Sequence, residues 1–383
     1  MIAIQSDTAP ALPVALHALN TVSAPNFKSR AMRQLHMLSY FSGVSSIYAR
    51  LKDRSTRGSV ASILMYHSIP SPHETSWIDP RNCLSAEQFE AQIRFLATHR
   101  HVISIDQLIH QLEKGERIRR ETVAITFDDG YLNNLRVAAP ILAKYNLPAT
   151  LYLATAYVNA SENQWIDTLY AAFRARSKHD LTVLGNHWNL AISTGTISTG
   201  TSAKRAASTA EKAYSVIARH LIECTPPQRQ QILQNIDEQL APVAYPPRLT
   251  MNWDEVRELR QRYPQMTLGM HTANHLDLRT HSDRTNEEIQ LSTAHFLSET
   301  GEQPQHFAFP YNRYSPEARN QVAKHLRSAV AVADDPVVRL ETSQYALPRL
   351  EAPQSLTLLK SWTNGGFPDV TQRLFRRVWT HPF

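Results

Sequence analysis

Cysteine is scarce in this sequence, since the 383 residues include only Cys83 and Cys224. Neither has a second cysteine at metal-binding spacing, so the sequence argues against a disulfide framework and a cysteine-based zinc site. Long apolar runs are also missing: none reaches the length of about 18 residues that indicates a membrane-spanning helix, and the N-terminus lacks the pattern of a secretory signal. We therefore expect a cytoplasmic or peripheral membrane protein, with a periplasmic location left open.

Excess charge is modest and unevenly distributed. The formal net charge is +6, and residues 1–58 hold seven Lys and Arg against two Asp. A nucleic-acid groove would have basic residues interleaved with aromatic residues over one folded face, which a short basic arm does not offer, so no nucleic-acid partner is expected. Apolar residues recur at steps of three and four between positions 31 and 52, which predicts an amphipathic helix. It could contact a membrane surface through residues 31–57 or pack against the domain, and both interpretations stay open.

Beyond this arm, short apolar runs alternate with helical patterns. Strand-like runs occupy residues 62–69, 101–105, 123–127 and 149–156, and four more follow residue 264. Helical patterns cover residues 106–115 and 252–264, whereas 174–247 departs from the alternation and predicts a helical insertion. The sequence therefore predicts an α/β protein, a deformed TIM-barrel-like (β/α) barrel of about seven strands. The predicted domains are the arm, 1–58, and a larger domain, 59–383, that carries the insertion.

Polar residues follow four of the predicted strands. They are His67, the pair Asp128 and Asp129, the pair His271 and His275, and the dipeptide Pro310-Tyr311. The carboxyl ends of parallel strands converge at one end of a barrel, so these side chains are expected to share a site.

Two of these motifs have the composition of a metal site. In HTANH, His271 and His275 are four residues apart, and two imidazoles with one carboxylate form a sound ligand set for zinc or a similar ion. In FDDG, one aspartate could be the third ligand while its neighbour serves as a general base. Asp-Asp-Gly is also an ordinary turn sequence, so the tripeptide alone would not establish this.

TFDDGY (126–131) together with HTANH (271–275) resembles the polysaccharide deacetylase family, carbohydrate esterases that share the NodB homology domain. The resemblance implies that Asp128 is the catalytic base and that Asp129, His271 and His275 are the metal ligands. It implies a divalent ion, with Zn²⁺ expected first and Co²⁺, Ni²⁺ or Fe²⁺ as alternatives. Thr272 fits a family position that orients the metal-binding loop.

The segment FAFPYN resembles a family groove wall, which implies a substrate contact at Pro310 and an oxyanion contact from the backbone N–H of Tyr311.

Two family residues lack an obvious counterpart. The arginine usually found near this proline is absent, and we expect Arg349 to replace it as the partner of the base. The late L-x-H motif of the general acid is also absent. In a permuted subgroup that resembles poly-N-acetylglucosamine deacetylases, a histidine after the first strand takes that role, which implies His67.

The resemblance implies a hydrolase that removes N-acetyl or O-acetyl groups from a polysaccharide or a lipid-linked sugar, in the biosynthesis of exopolysaccharide or cell-surface glycan. The partner is then an acetylated glycan, and the aromatic rings of Tyr131, Trp165 and Trp253 are candidates for stacking on a sugar. Core packing is the alternative for each ring. Two other functions stay open: hydrolysis of a small non-sugar amide on the same fold, and carbohydrate binding without catalysis.

Overall fold

The structure is a computed structural model that describes residues 60–158, 163–190, 202–333 and 336–364. The predicted basic arm and its amphipathic helix lie outside these residues, so the arm and its membrane contact stay predictions. Within the described ranges, no helix is long and apolar enough to cross a membrane.

Eleven strands occur in the described residues. In chain order they are β1 (Ala61–Tyr66), β2 (His101–Val102), β3 (Thr122–Phe127), β4 (Ala149–Leu153), β5 (Asp180–Val183), β6 (Asn186–Asn189), β7 (Met266–Met270), β8 (His306–Ala308), β9 (Ser328–Val332), β10 (Val337–Val338) and β11 (Leu347–Glu351).

Seven parallel strands close a barrel. Their order is β1, β11, β9, β8, β7, β4 and β3, and β3 pairs back onto β1. The short strand β2 adds to β3 in parallel, and β10 lies antiparallel beside β1. Every residue of β1, β3 and β4 is buried, as expected for strands with the barrel interior on one face and helices on the other. The predicted barrel of about seven strands is confirmed.

Ten α-helices accompany the strands in the described ranges. They are α1 (Ala86–His99), α2 (Ile105–Lys114), α3 (Ala139–Lys144), α4 (Trp165–Arg174), α5 (Ser202–Ile222), α6 (Pro226–Leu240), α7 (Trp253–Arg262), α8 (Thr285–Thr300), α9 (Pro316–His325) and α10 (Leu356–Trp362). A π-helical turn, Asn134–Ala138, leads into α3.

Local sequence explains where several helices begin. Helices α1, α2 and α7 start with capping boxes, in which a Ser or Asn side chain and a Gln or Glu three residues later bond to each other's backbone N–H. Asn252 caps α7, which lies within the helical pattern predicted over residues 252–264. Helix α2 stops at Gly115, whose φ of 64° belongs to the left-handed region that glycine adopts readily.

The barrel interior is filled by alternate residues of its strands. Tyr152 of β4 pairs in register with Gly269 of β7, and the aromatic ring occupies the space that a side chain at 269 would need. A Cβ at position 269 would lie 2.4 Å from Cδ1 of Tyr152 and 3.0 Å from the carbonyl oxygen of His306. Only glycine fits here, because packed interiors leave no room for an extra methyl group.

The predicted insertion, 174–247, contains α5 and α6, which pack with α4 around a second apolar cluster. It also contains the antiparallel hairpin β5–β6, which the sequence analysis did not predict. Trp188 sits in this hairpin and packs against the cluster. Each strand has only four residues: β5 alternates polar and apolar residues but is too short to identify a strand by itself, and β6 is almost entirely polar.

Candidate active site

The carboxyl end of the barrel brings together the residues that the sequence indicated. His67 follows β1, Asp128 and Asp129 follow β3, and His271 follows β7 directly. The Pro310-Tyr311 dipeptide follows β8. Arg349 is the third residue of β11 rather than a residue at its end, and it faces the same end of the barrel through its contact with Asp128.

Asp129, His271 and His275 form a compact group of buried ligand atoms, all within 4.8 Å of one another. Oδ1 of Asp129 lies 3.3 Å from Nε2 of His275 and 3.7 Å from Nε2 of His271. The two Nε2 atoms lie 3.0 Å apart. Three ligands around a tetrahedral ion with bonds of about 2.0–2.1 Å would be separated by about 3.3 Å, so this group fits a divalent metal.

Hydrogen bonding leaves the ligand atoms available. Nδ1 of His271 bonds to the carbonyl oxygen of Ala308 at 2.8 Å, which makes Nδ1 the donor and leaves the lone pair on Nε2. Oδ1 of Asp129 is buried and has no hydrogen-bond partner among the described residues. A buried carboxylate oxygen without a partner is costly, and a cation would satisfy it.

Burial also sets the protonation of this group. It lowers the pKa of His271 to about 4, so the imidazole is neutral near pH 7 and able to act as a ligand. Burial alone would raise the pKa of Asp129, but its electrostatic interaction with His275, with smaller contributions from His67 and His271, lowers it overall. Asp129 is therefore an anion.

Asp128 has a different partner from Asp129. The guanidinium of Arg349 binds both of its oxygens, with 2.7 Å from Nη1 to Oδ1 and 2.7 Å from Nη2 to Oδ2. Burial would raise the pKa of Asp128, but the charge of the Arg349 guanidinium is the largest influence that opposes burial, and the pKa is lowered overall. Nη2 of Arg349 also donates to Oδ1 of Asn312 at 3.3 Å. The bidentate ion pair keeps Asp128 ionised and fixes its orientation.

His67 is near enough to the two aspartates to influence both electrostatically. It is partly exposed, and its charge contributes to lowering the pKa of both Asp128 and Asp129. The side-chain amide of Asn134, in the π-helical turn, donates to its carbonyl oxygen at 2.8 Å. This bond ties the segment after β1 to the segment after β3, which keeps His67 close to the acidic pair.

The backbone around the site is strained. Nine non-glycine residues in the described ranges have positive φ, and five of them belong to this region. They are Asp129 (76°), Thr272 (60°), His275 (49°), Tyr311 (55°) and Asn312 (57°). Each such conformation costs about 1–3 kcal/mol and persists where surrounding contacts hold it.

The HTANH loop is held by residues that the sequence analysis missed. Glu288 of α8 is fully buried, and its Oε2 accepts hydrogen bonds from the backbone N–H groups of Ala273 and Asn274 at 3.0 and 2.8 Å. Arg229 of α6 donates to the carbonyl oxygens of Asn274 and His275. Both residues are distant from the motif in sequence, and no local pattern marks them. The side-chain hydroxyl oxygen of Thr272 also accepts a hydrogen bond from the backbone N–H of Leu276, and the resemblance implied a role of this kind for Thr272.

The ring of Tyr311 forms one wall of the metal group. It lies 4.4 Å from the ring of His275, edge to face, and its hydroxyl donates to the His275 carbonyl at 3.1 Å. Nε1 of Trp165 donates to the same hydroxyl at 2.7 Å. Trp165 is buried, so its contact is with Tyr311 rather than with solvent. Pro310 is buried beside them.

The other two aromatic residues proposed as sugar contacts have partners within the protein, and the structure corrects the assignment of Tyr131. Tyr131 is fully buried and donates its hydroxyl to Oδ1 of Asp167 at 3.2 Å, so its ring has no exposed face for a sugar. Trp253 packs edge to face against Phe296 of α8, with ring centroids 5.8 Å apart, beside the main core. Trp253 is partly buried in this packing, as in the core-packing alternative, and its contact with a sugar stays a prediction.

Comparison with known proteins points to one family. The family model for polysaccharide deacetylases matches residues 115–329. YxkH of Bacillus subtilis is 32% identical over 92 residues, and the poly-β-1,6-N-acetyl-D-glucosamine N-deacetylase of Staphylococcus aureus is 32% identical over 87 residues. These alignments cover 24% and 22% of this chain and 30% of each relative.

Among solved structures, the Streptococcus pyogenes deacetylase PplD has a TM-score of 0.50 and 17% sequence identity, over 79% of this chain and 98% of that one. At this identity the likeness supports the fold alone. The family match covers more than half of the 383 residues and includes both Asp129 and His271 with His275. The chain therefore belongs to the polysaccharide deacetylase family.

Proposed function

We propose that this protein is a metal-dependent deacetylase that hydrolyses the N-acetyl groups of a polysaccharide or a lipid-linked sugar. The proposal depends on one observation, that the two adjacent aspartates have different partners. Asp129 joins two imidazoles in a metal-compatible group, whereas Asp128 is held by Arg349. A binding protein would have no need for an ionised carboxylate beside a metal group, so the pair favours hydrolysis over binding alone.

The residues of the metal group would be Asp129, His271 and His275. When bound, a divalent cation polarises the acetyl carbonyl and makes water a better nucleophile near neutral pH. Zinc suits two imidazoles and one carboxylate, and Co²⁺, Ni²⁺ or Fe²⁺ accept the same ligands.

Asp128 acts as the general base in the proposed reaction. Its ion pair with Arg349 keeps the carboxylate ionised and oriented, so it can accept a proton from the water that attacks the acetyl carbon. Nε2 of His271 lies 3.8 Å from Oδ2 of Asp128, which puts the base next to the metal group. Groups of this kind contribute about 10²–10⁴-fold to the rate.

His67 and Tyr311 complete the proposed reaction. Protonated His67 gives its proton to the sugar nitrogen as the carbon–nitrogen bond breaks, because an amide nitrogen leaves poorly unless it is protonated. The backbone N–H of Tyr311 donates to the carbonyl oxygen as negative charge develops there, a contact of the kind that is worth about 10²–10³-fold. Acetate and a free amine are the products.

The substrate class is inferred from the family and its relatives. The relative from Staphylococcus aureus is named as a deacetylase of poly-β-1,6-N-acetyl-D-glucosamine, which supports an acetylated glucosamine polymer as the first candidate. Such a substrate fits a role in the biosynthesis of exopolysaccharide or cell-surface glycan. A small non-sugar amide is the competing substrate.

Acetate release from a panel of substrates tests this function. We expect acetate from oligomers of β-1,6-N-acetylglucosamine, little from small amides, and loss of release with a chelator that returns when divalent metal is added. Release from small amides alone would overturn the glycan assignment. Undiminished release after exhaustive chelation, with metal content verified as zero, would overturn the metal dependence.

The separate roles of the two aspartates are tested by Asp128→Asn and His275→Ala. We expect Asp128→Asn to keep its metal and lose about 10²–10⁴-fold in kcat, because Asn cannot accept the proton. His275→Ala removes a ligand and should lose metal as well as activity. Metal content of both purified variants is the measurement, with circular dichroism as the check on folding. Equal metal depletion in the two variants would contradict the division of roles.

The role of His67 is tested by His67→Gln. Gln cannot donate a proton as an acid, so we expect metal content to be unchanged and kcat to fall about 10²–10⁴-fold. His101→Gln is a matched control, because His101 is also partly buried but begins β2 at the opposite end of the barrel. Near-normal turnover of His67→Gln on an acetylated glycan would remove His67 from the acid role.

A further inference from the structure

We propose that Arg229 is a positioning residue for the metal ligand His275, and that the helical insertion is thereby part of the candidate metal centre. The inference rests on the proposed function, since it concerns the same metal group. Arg229 lies on α6, in the stretch of more than a hundred residues that separates TFDDGY from HTANH in the sequence. No residue of the insertion was expected to contact the site.

The guanidinium of Arg229 donates hydrogen bonds to four backbone carbonyl oxygens. The residue is 2% exposed. Nη1 donates to the Asn274 carbonyl oxygen at 3.2 Å, and Nη2 donates to the His275 carbonyl oxygen at 3.1 Å. Nε donates to the carbonyl oxygens of Leu221 and Cys224 at 3.0 and 3.1 Å, at the junction between α5 and α6. One side chain therefore joins the insertion to the last two residues of HTANH.

The opposite edge of the same loop is held by Glu288. Its carboxylate accepts from the N–H groups of Ala273 and Asn274, and its Oε1 also accepts from the side-chain amide of Asn274 at 2.8 Å. The buried guanidinium of Arg229 thus binds carbonyl groups of the loop, while the buried carboxylate of Glu288 binds its N–H groups. The peptide units between them are fixed in direction from both sides.

This arrangement matters because the loop backbone is strained. Thr272 and His275 both have positive φ, which an unsupported loop would relax. The His275 carbonyl receives hydrogen bonds from Arg229 and from the hydroxyl of Tyr311, so the backbone that carries the imidazole is fixed by both. Without the guanidinium, the carbonyl oxygens of Asn274 and His275 lose the charged hydrogen-bond donor that holds them in the protein interior. The loop is then expected to move, and Nε2 of His275 with it.

A purely structural role for Arg229 predicts a different result. An arginine that only anchors α6 would lower the stability of the insertion and leave the metal group unchanged. A positioning role predicts that metal affinity falls even in a variant that folds normally. Contacts of this kind around metal ligands affect metal affinity by about 10–100-fold.

The test compares Arg229→Lys and Arg229→Gln with the unaltered full-length chain. Metal-free protein is titrated with Co²⁺, and the dissociation constant and the visible absorption of the bound ion are recorded for each. Lys keeps the charge but not the two-pronged geometry, so we expect a smaller loss of affinity for Lys than for Gln, within the range of about 10–100-fold. The visible bands should shift in both variants, because His275 binds less well.

Arg100→Lys is the matched control. Arg100 is also largely buried and donates to a backbone carbonyl, that of Lys360, but it lies at the end of α1, next to the start of β2. We expect this variant to bind Co²⁺ with unchanged affinity and spectrum. Urea unfolding of the metal-free forms shows whether the Arg229 and Arg100 variants lose comparable stability.

The outcomes separate this inference from the proposed function. If the unaltered chain binds Co²⁺ and a folded Arg229→Lys variant binds it with equal affinity and an identical spectrum, Arg229 has no positioning role, although the metal group stands. If the unaltered chain binds no metal at all, the proposed function itself fails. Weakened binding with shifted bands in Arg229→Lys, against an unchanged Arg100→Lys, supports the inference.

Discussion

The site depends on how two adjacent carboxylates are buried together. Asp128 and Asp129 are 2% and 6% exposed, and buried like charges side by side are unstable unless each has its own compensating partner. Arg349 supplies that partner for Asp128. Two imidazoles surround Asp129, whose Oδ1 remains without a hydrogen bond. The division into a paired base and an available ligand follows from this constraint.

The barrel and its loops provide the geometry that this division requires. Because β1, β3, β7, β8 and β11 are parallel, the site residues on or after them lie at the carboxyl end of the barrel. The loops there adopt positive φ at Asp129, Thr272 and His275, so they must be held by buried contacts. Glu288 and Arg229 supply such contacts from α8 and from the insertion. The site is therefore built by elements far apart in the chain, and the insertion is one of them.

The sequence predicted those parts of the molecule that local patterns encode. The strands of the barrel and the helices within residues 106–115 and 252–264 were confirmed because periodicity, capping residues and glycine act over a few positions. The ion pair between Arg349 and Asp128 agrees with an expectation that came from the missing family arginine. Contacts between distant residues, such as Glu288 with the HTANH loop, leave no local pattern. The burial of Tyr131 was missed for the same reason, since its environment is made by residues of other segments.

X-ray absorption spectroscopy of the metal-loaded protein tests the central claim most directly, because it counts the ligands of the bound ion without reference to activity. The account predicts a first shell of nitrogen and oxygen only, with the outer-shell scattering of two imidazole rings, and a spectrum that is unchanged in Asp128→Asn. A sulfur ligand, or the scattering of fewer than two imidazoles, would contradict the assignment of Asp129, His271 and His275 as the metal centre.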